Sequence, residues 1–207
     1  GASGSIAIST GVATGGEGGD ILVKVGTSST NSGGDIIIEG GDSTPLTGGA
    51  ISVATGEGTA TTSGAFVVRT VNAGTKGVSG MLAFISGTTS SGTSGSITMA
   101  TGKAVNGKGG DILVSIGSGN AGNGGDILLY SGEMSDKSGG SISLSSGYGS
   151  TTSSGVIVFQ SVNAGNAGSS GMLAFKSGTT SSGASGSIAI STGVATGGEG
   201  GDILVKV

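Results

Sequence analysis

Residues 4–26 read GSIAISTGVATGGEGGDILVKVG, and this stretch holds the pattern that decides the fold. Ile6 and Ile8 lie at alternate positions in one short segment. Ile21 and Val23 lie at alternate positions in the next, after a run rich in Gly. Alternating apolar residues are typical of a half-buried β-strand, and Gly-rich runs are typical of turns. The stretch therefore predicts a strand, a turn and a second strand, one repeat step of 15 residues apart.

The same step recurs along the whole chain. We call its first apolar position the first ladder: Ile6, Ile21, Ile36, Ile51, Phe66, Leu82, Ile97, Ile112, Ile127, Ile142, Ile157, Leu173, Ile188 and Ile203. The residue two places later forms the second ladder: Ile8, Val23, Ile38, Val53, Val68, Phe84, Met99, Val114, Leu129, Leu144, Phe159, Phe175, Ile190 and Val205. The step is 15 residues except from Phe66 to Leu82 and from Ile157 to Leu173, where it is 16. The extra residue predicts a turn bulge near Val71-Asn72-Ala73-Gly74, repeated at 162–165, where Asn and Gly tolerate a left-handed backbone.

A longer repeat of 91 residues contains these steps. Residues 183–207 are the same string as residues 1–25, and residues 92–117 align with residues 1–26 without a gap. The predicted organisation is unit 1 at 1–91, unit 2 at 92–182, each of six steps, and the start of unit 3 at 183–207. Because the chain begins and ends inside a repeat, we expect it to be a window of a longer array. We expect a further repeat or another subunit to continue it beyond Val207.

Short repeats that each carry one strong strand are typical of a β-solenoid, in which each repeat forms one coil. The predicted fold is therefore all-β: a β-solenoid of about 15 residues per coil, arranged as 91-residue tandem units. Like positions on successive coils would lie about 4.7 Å apart. A stacked or sandwiched sheet is the alternative, while a polyglycine-II bundle would need Gly at every third residue, which this chain lacks.

The solenoid makes specific predictions about burial. The ladders should form the core, with Ile6, Val23, Ile36, Val53, Leu82 and Phe84 buried. The charged side chains Lys24, Glu39, Arg69 and Lys176 should be exposed. Gly11, Gly26, Gly41, Gly56 and Gly87 should end the strands, at a positive φ or a tight corner. Residues between the ladders, such as Leu22 and Ile37, are often apolar, which favours lateral contact with a neighbouring fibre.

Composition excludes several functional classes. Gly, Ser and Thr number 49, 36 and 23, so they make up 108 of the 207 residues. His and Cys are absent, which removes an imidazole base, a thiol nucleophile and zinc or iron–sulfur ligation. The net charge of −4 gives no basic surface for nucleic acid, and no apolar run suggests membrane insertion. We expect no catalytic residues, no enzymatic activity and no cofactor.

Three further ligands were considered at the turns. Asp20 and Asp35 fall on adjacent predicted coils, as do Asp111 and Asp126, and they are weak candidates for calcium, with a solvated acidic turn as the alternative. Residues 15–23, GGEGGDILV, match a calcium-binding nonapeptide pattern, but that pattern must recur every nine residues. An ice-binding face would need continuous Thr columns, which the chain interrupts.

Hydroxyl-rich turns are a candidate for modification. They are open to O-glycosylation at TSSTNS (27–32), TATTS (59–63), TTSSGTS (88–94) and STTSS (150–154). The alternative is that Ser and Thr are simply good turn residues.

The strands GSIAISTG (4–11), GSITMATG (95–102) and SISLSSG (141–147) alternate with Ser/Thr/Gly turns. In this the whole chain resembles the Gly/Ser/Thr-rich tandem-repeat secreted fibre proteins of the microalgal, diatom-like cell surface. The resemblance implies an extracellular or cell-surface fibre protein, and it brings no catalytic or binding residue. Bacterial filamentous adhesins share the solenoid idea with longer coils that contain less Gly.

The function predicted from the sequence is therefore that of a structural subunit of an extracellular filament. Its chain would run along the fibre axis, and subunits would associate end to end and laterally. The alternative is an adhesin or a surface-binding stalk, with ice-binding or calcium-binding solenoids behind it.

Overall fold

The computed structural model describes residues 3–206, and in that range the backbone forms no α-helix and no β-strand. The predicted all-β fold, and with it the β-solenoid, is therefore wrong. A solenoid would bring residue i beside residue i + 15 through strand pairing. The close approaches made by the glycines of this chain instead join residues nine or ten apart. The contact predicted beyond Val207 falls outside the described residues.

What the sequence step produces is a regular series of bends joined by extended segments. Within residues 3–206 the bends recur every 15 residues, with a step of 16 at the two places where the sequence has its extra residue. They lie at 14–16, 29–31, 44–46, 59–61, 75–77, 90–92, 105–107, 120–122, 135–137, 150–152, 166–168, 181–183 and 196–198. The periodicity predicted from the ladders is thus present in the backbone, although strands are not.

Each bend lies inside a short loop whose two ends approach one another. The residue that ends one extended segment faces a glycine nine positions later; a β-carbon built on Gly19 would lie 3.5 Å from the Thr10 Cβ. We call these two residues the closing pair. The thirteen closing pairs within residues 3–206 are Thr10–Gly19, Val25–Gly34, Gly40–Gly49, Thr55–Gly64, Thr70–Gly80, Ser86–Gly95, Thr101–Gly110, Ile116–Gly125, Ser131–Gly140, Ser146–Gly155, Ser161–Gly171, Ser177–Gly186 and Thr192–Gly201.

Glycine permits this approach because it lacks a side chain. A β-carbon on Gly40 would lie 2.5 Å from the carbonyl oxygen of Gly49, and one on Gly34 would lie 2.9 Å from Val25 Cγ1. The glycines predicted to need a positive φ or a tight corner behave differently. Gly11, Gly26, Gly41, Gly56 and Gly87 have no positive φ, and a β-carbon on any of them would meet nothing within 4 Å. That prediction was wrong, because closure depends on the second glycine of each Gly-Gly pair.

Four loops are also closed by a backbone hydrogen bond. The amide of Gly49 donates to the carbonyl of Gly41 at 2.8 Å, and that of Gly64 donates to Gly56 at 3.0 Å. The same bonds recur 91 residues later, from Gly140 to Gly132 at 2.9 Å and from Gly155 to Gly147 at 3.0 Å. Equal sequence in the two repeat units therefore gives equal local geometry.

The extra residue of the 16-residue step lies inside a loop, as predicted. The closing pairs Thr70–Gly80 and Ser161–Gly171 are ten residues apart, where the other pairs are nine apart. In the second of these loops the amide of Gly168 donates to the carbonyl of Gly165 at 3.3 Å. The predicted left-handed backbone is absent from these loops, since positive φ occurs among the described residues at Asn106, Gly92, Gly122 and Gly183.

The chain divides into two compact units, Gly1–Gly110 and Asp111–Val207. The first contains the seven loops from Thr10–Gly19 to Thr101–Gly110, and the second contains the six from Ile116–Gly125 to Thr192–Gly201. The division falls between two loops, so no closing pair is split. It does not coincide with the end of the 91-residue sequence unit, which lies within the loop Ser86–Gly95.

None of the described residues is buried, so the predicted core is absent. Ile6 is 93% exposed, Ile36 is 53% exposed and Phe84 is 70% exposed. Lys24, Glu39, Arg69 and Lys176 are exposed as predicted, although their neighbours are exposed as well. The accessible surface of 20643 Å² compares with about 8,400 Å² for a compact domain of this mass and about 27,500 Å² for an unfolded chain.

Composition accounts for the missing core. More than half of the residues are Gly, Ser or Thr, which contribute little apolar surface and, in the case of Gly, lose much backbone entropy when ordered. Closing a loop of about ten residues has a small entropic cost, whereas pairing distant segments costs more and must be offset by burial. The single chain therefore forms its local loops and leaves the ladders open.

Candidate functional site

The largest chemical feature of the chain is its row of exposed apolar side chains. In most extended segments the first-ladder residue is the most sheltered of the three central positions and the residue between the ladders is the least. In the segment of residues 21–23 the exposed fractions are 55% for Ile21, 83% for Leu22 and 70% for Val23. The ladder pattern thus predicted the order of exposure within such a segment correctly, while burial itself does not occur.

Second-ladder residues of neighbouring segments meet at one place in the second unit. The rings of Phe159 and Phe175 lie with centroids 6.5 Å apart at 83°, an edge-to-face arrangement. The loop closed by Ser161 and Gly171 lies between them in sequence. Edge-to-face ring pairs contribute about 0.5–1.5 kcal/mol beyond area burial. Both rings remain more than half exposed, so this contact makes no core.

The calcium candidates are not gathered into a site. Asp20, Asp35, Asp111 and Asp126 are all exposed, and the coils that would have brought them together do not form. Across residues 3–206 no group of three or more His, Cys, Asp or Glu residues is placed to hold a metal ion. Asp111 has an interaction within the chain.

One loop recurs three times with different charges. Loops 10–19 and 192–201 both read TGVATGGEGG, whereas loop 101–110 reads TGKAVNGKGG. Each has its bend at the same place, and each is closed by a Thr and a Gly. The acidic loops carry Glu17 or Glu199, and the basic loop carries Lys103 and Lys108. All four of these side chains are exposed.

The second unit contains an open cleft of about 610 Å³ on the loop closed by Ser131 and Gly140. Its wall includes Tyr130, Glu133 and Met134. Tyr130 is 84% exposed and Met134 is 61% exposed, so the cleft is a shallow surface rather than an enclosed pocket. Sequence reasoning did not single out this loop.

The Ser/Thr turns hold themselves in shape through their own hydroxyl groups. The Thr89 hydroxyl donates to the carbonyl of Ser91 at 2.9 Å and accepts from its amide at 3.3 Å. Thr180 and Ser182 repeat this geometry at 2.8 Å and 3.2 Å. The hydroxyls of Ser28 and Ser43 accept from the amides of Asn31 and Leu46. These turns are exposed, and O-glycosylation there stays a prediction.

Sequence reasoning missed the closing pairs. The signal was present as a recurrent hydroxyl or apolar residue followed nine positions later by the second glycine of a Gly-Gly or similar pair, as in Thr10 with Gly19. Reading each step as a closed coil directed attention to residues 15 positions apart instead.

The described part of the chain contains no helix long and apolar enough to cross a membrane. No protein-family model, no curated protein and no solved structure matches the chain.

Proposed function

We propose that the chain is a structural, self-associating repeat protein of an extracellular filament, in which copies of the chain cover one another's ladders. The observation that carries this proposal is the exposure of every first-ladder side chain, at a constant spacing, in a chain that buries none of its described residues. Soluble monomers rarely expose contiguous apolar patches beyond a few hundred Å², and larger patches mark interaction sites.

A second copy is the occupant that matches this surface best. A partner must present apolar side chains at the same spacing, including the 16-residue step, and the chain itself has that spacing. Full burial of an aliphatic side chain at about 25 cal/mol per Å² corresponds to about 60–120 Å². The twelve ladder positions of one 91-residue unit, each about half buried on association, would supply roughly 400–700 Å². Two units therefore reach the roughly 800 Å² per partner that a stable interface needs.

The extracellular setting comes from the resemblance to secreted fibre proteins described above. It agrees with a chain whose turns present many hydroxyl groups to solvent.

Sedimentation velocity across a concentration series, followed by electron microscopy of the heaviest fraction, tests the proposal. We expect a monomer at low concentration and, above a threshold, elongated assemblies. A chain that stays monomeric up to millimolar concentration, with no filament on the grid, would overturn the proposal.

A further inference from the structure

The charges of the recurrent loop differ between successive sequence units. Loop 101–110 carries two positive charges, and loops 10–19 and 192–201 each carry one negative charge. The next residue is Asp in all three cases, so it does not cause the difference. Every one of these loops presents its charged side chains to solvent.

The loops have matching backbones, so their charges occupy equivalent places. A β-carbon on Gly19 would lie 3.5 Å from the Thr10 Cβ, and one on Gly110 would lie 3.5 Å from the Thr101 Cβ. The bends at 14–16, 105–107 and 196–198 follow the closing Thr at the same distance along the chain. Lys108 and Asp111 each make an interaction within the chain, so the attraction described next arises from the net charge of the loop.

We propose that the basic loop 101–110 of one copy binds the acidic loop 10–19, or the identical loop 192–201, of a parallel second copy. Neighbouring copies are then offset by one 91-residue unit. This inference rests on the proposed self-association and adds to it the alignment of the copies.

The ladders restrict the possible offsets independently of charge. An offset of one 15-residue step would misalign the ladders beyond each 16-residue step. Because the 16-residue step recurs every 91 residues, only an offset of zero or a multiple of 91 keeps all ladder positions opposite one another. Charge then chooses among zero, one and two units.

Copies aligned without offset would place every charged residue opposite its like, and an offset of two units would place Glu17 opposite Glu199. Like charges facing one another disfavour an alignment. An offset of one unit places Glu17 opposite Lys108, while Asp20, Asp35 and Asp42 still face acidic residues. The charged residues that face a neutral one under this offset include Lys24, Glu39, Glu57, Arg69 and Lys76, opposite Ser115, Tyr130, Tyr148, Gln160 and Ala167.

Disulfide trapping tests the offset directly, because the chain has no cysteine of its own. Gly16 and Gly107 are equivalent positions beside Glu17 and Lys108, and a β-carbon at either would meet nothing within 4 Å. Copies carrying Gly16→Cys and copies carrying Gly107→Cys, distinguished by mass tags, are mixed, assembled and oxidised. We expect the mixed 16–107 disulfide to exceed both same-site disulfides by at least about fivefold. Ser29→Cys with Asn120→Cys, in the uncharged loops 25–34 and 116–125, repeats the measurement away from the charges.

Charge reversal identifies the cause of the preference. Lys103→Glu alone, and Lys103→Glu with Lys108→Glu, should remove the excess of mixed disulfide at both cysteine sets. Adding Glu17→Lys and Glu199→Lys to the double variant should restore it. If the copies assemble but same-site disulfides equal or exceed the mixed one, or if charge reversal leaves the ratio unchanged, the offset is refuted and the proposed function stands. If sedimentation shows no assembly at all, the proposed function itself fails.

Discussion

Gly58 and Gly149 occupy the same place in two repeat units, and in both the turn that follows leaves no room for a side chain. A β-carbon on Gly58 would overlap the carbonyl oxygen of Thr62, and one on Gly149 would lie 2.5 Å from that of Ser153. These residues are among the few that are not fully exposed. At this scale the structure depends on backbone approach rather than on packed side chains.

Gly58→Ala should therefore open its loop. The amide of Gly64, which donates to the carbonyl of Gly56 at 3.0 Å, should exchange its hydrogen about 2–10 times faster, as expected for loss of a bond worth about 0.5–1.5 kcal/mol. Gly56→Ala is the matched control, because a β-carbon there meets nothing within 4 Å. Equal exchange of the Gly64 amide in the two variants, measured by NMR, would contradict the loop geometry.

Thr89 stabilises its turn through one hydroxyl that both donates to and accepts from Ser91. Thr89→Val keeps the size of the side chain but removes both bonds, so the Ser91 amide should exchange faster, whereas Thr89→Ser should retain most of its protection. The same comparison at Thr180 gives an internal repeat. Faster exchange in the Ser variant than in the Val variant would be inconsistent with the hydroxyl's role.

The loop is the structural element of this chain, and the extra residue of the 16-residue step lies inside it. Deleting Asn72 would shorten the loop Thr70–Gly80 to the usual length, so the loop should still close. The deletion would also make the first sequence unit one residue shorter than the second. Copies offset by one unit would then have mismatched ladders.

We expect the Asn72 deletion alone to weaken assembly and the paired deletion of Asn72 and Asn163 to restore it, since both units would then have 90 residues. The threshold concentration for assembly, from sedimentation, measures this. Unchanged assembly after the single deletion would indicate that copies align without offset.

The sequence predicted the spacing of these elements but not the surface against which they pack. The bends follow the ladder steps, and the extra residue lies in the loop where Val71-Asn72-Ala73-Gly74 placed it. A period of alternating apolar residues requires that Ile21 and Ile36 find apolar neighbours; it does not say whether those belong to the same chain. The solenoid assumed that they do. With Gly, Ser and Thr so abundant, one chain lacks the burial to offset the entropy of pairing its segments.

For the whole molecule, the decisive property is that the ladders are open before assembly. Replacing Ile112 and Ile127 with Ser should leave the monomer's circular dichroism unchanged, because neither residue is buried in it. The threshold for assembly should rise about 10–100-fold, the loss of about 1.5–3 kcal/mol of apolar burial. Val12→Ser with Val194→Ser, at exposed loop positions outside the ladders, should change it little. A change in the monomer's spectrum would point to a core within one chain.

Hydrogen exchange of the chain below its assembly threshold, compared with the assembled chain, tests the central claim most directly. The account predicts little protection in the dilute chain, confined to loop amides such as those of Gly49, Gly64, Gly140 and Gly155. It predicts that protection spreads to the ladder segments only on assembly. Strong protection at Ile21, Ile36 and Ile51 in the dilute monomer would contradict it.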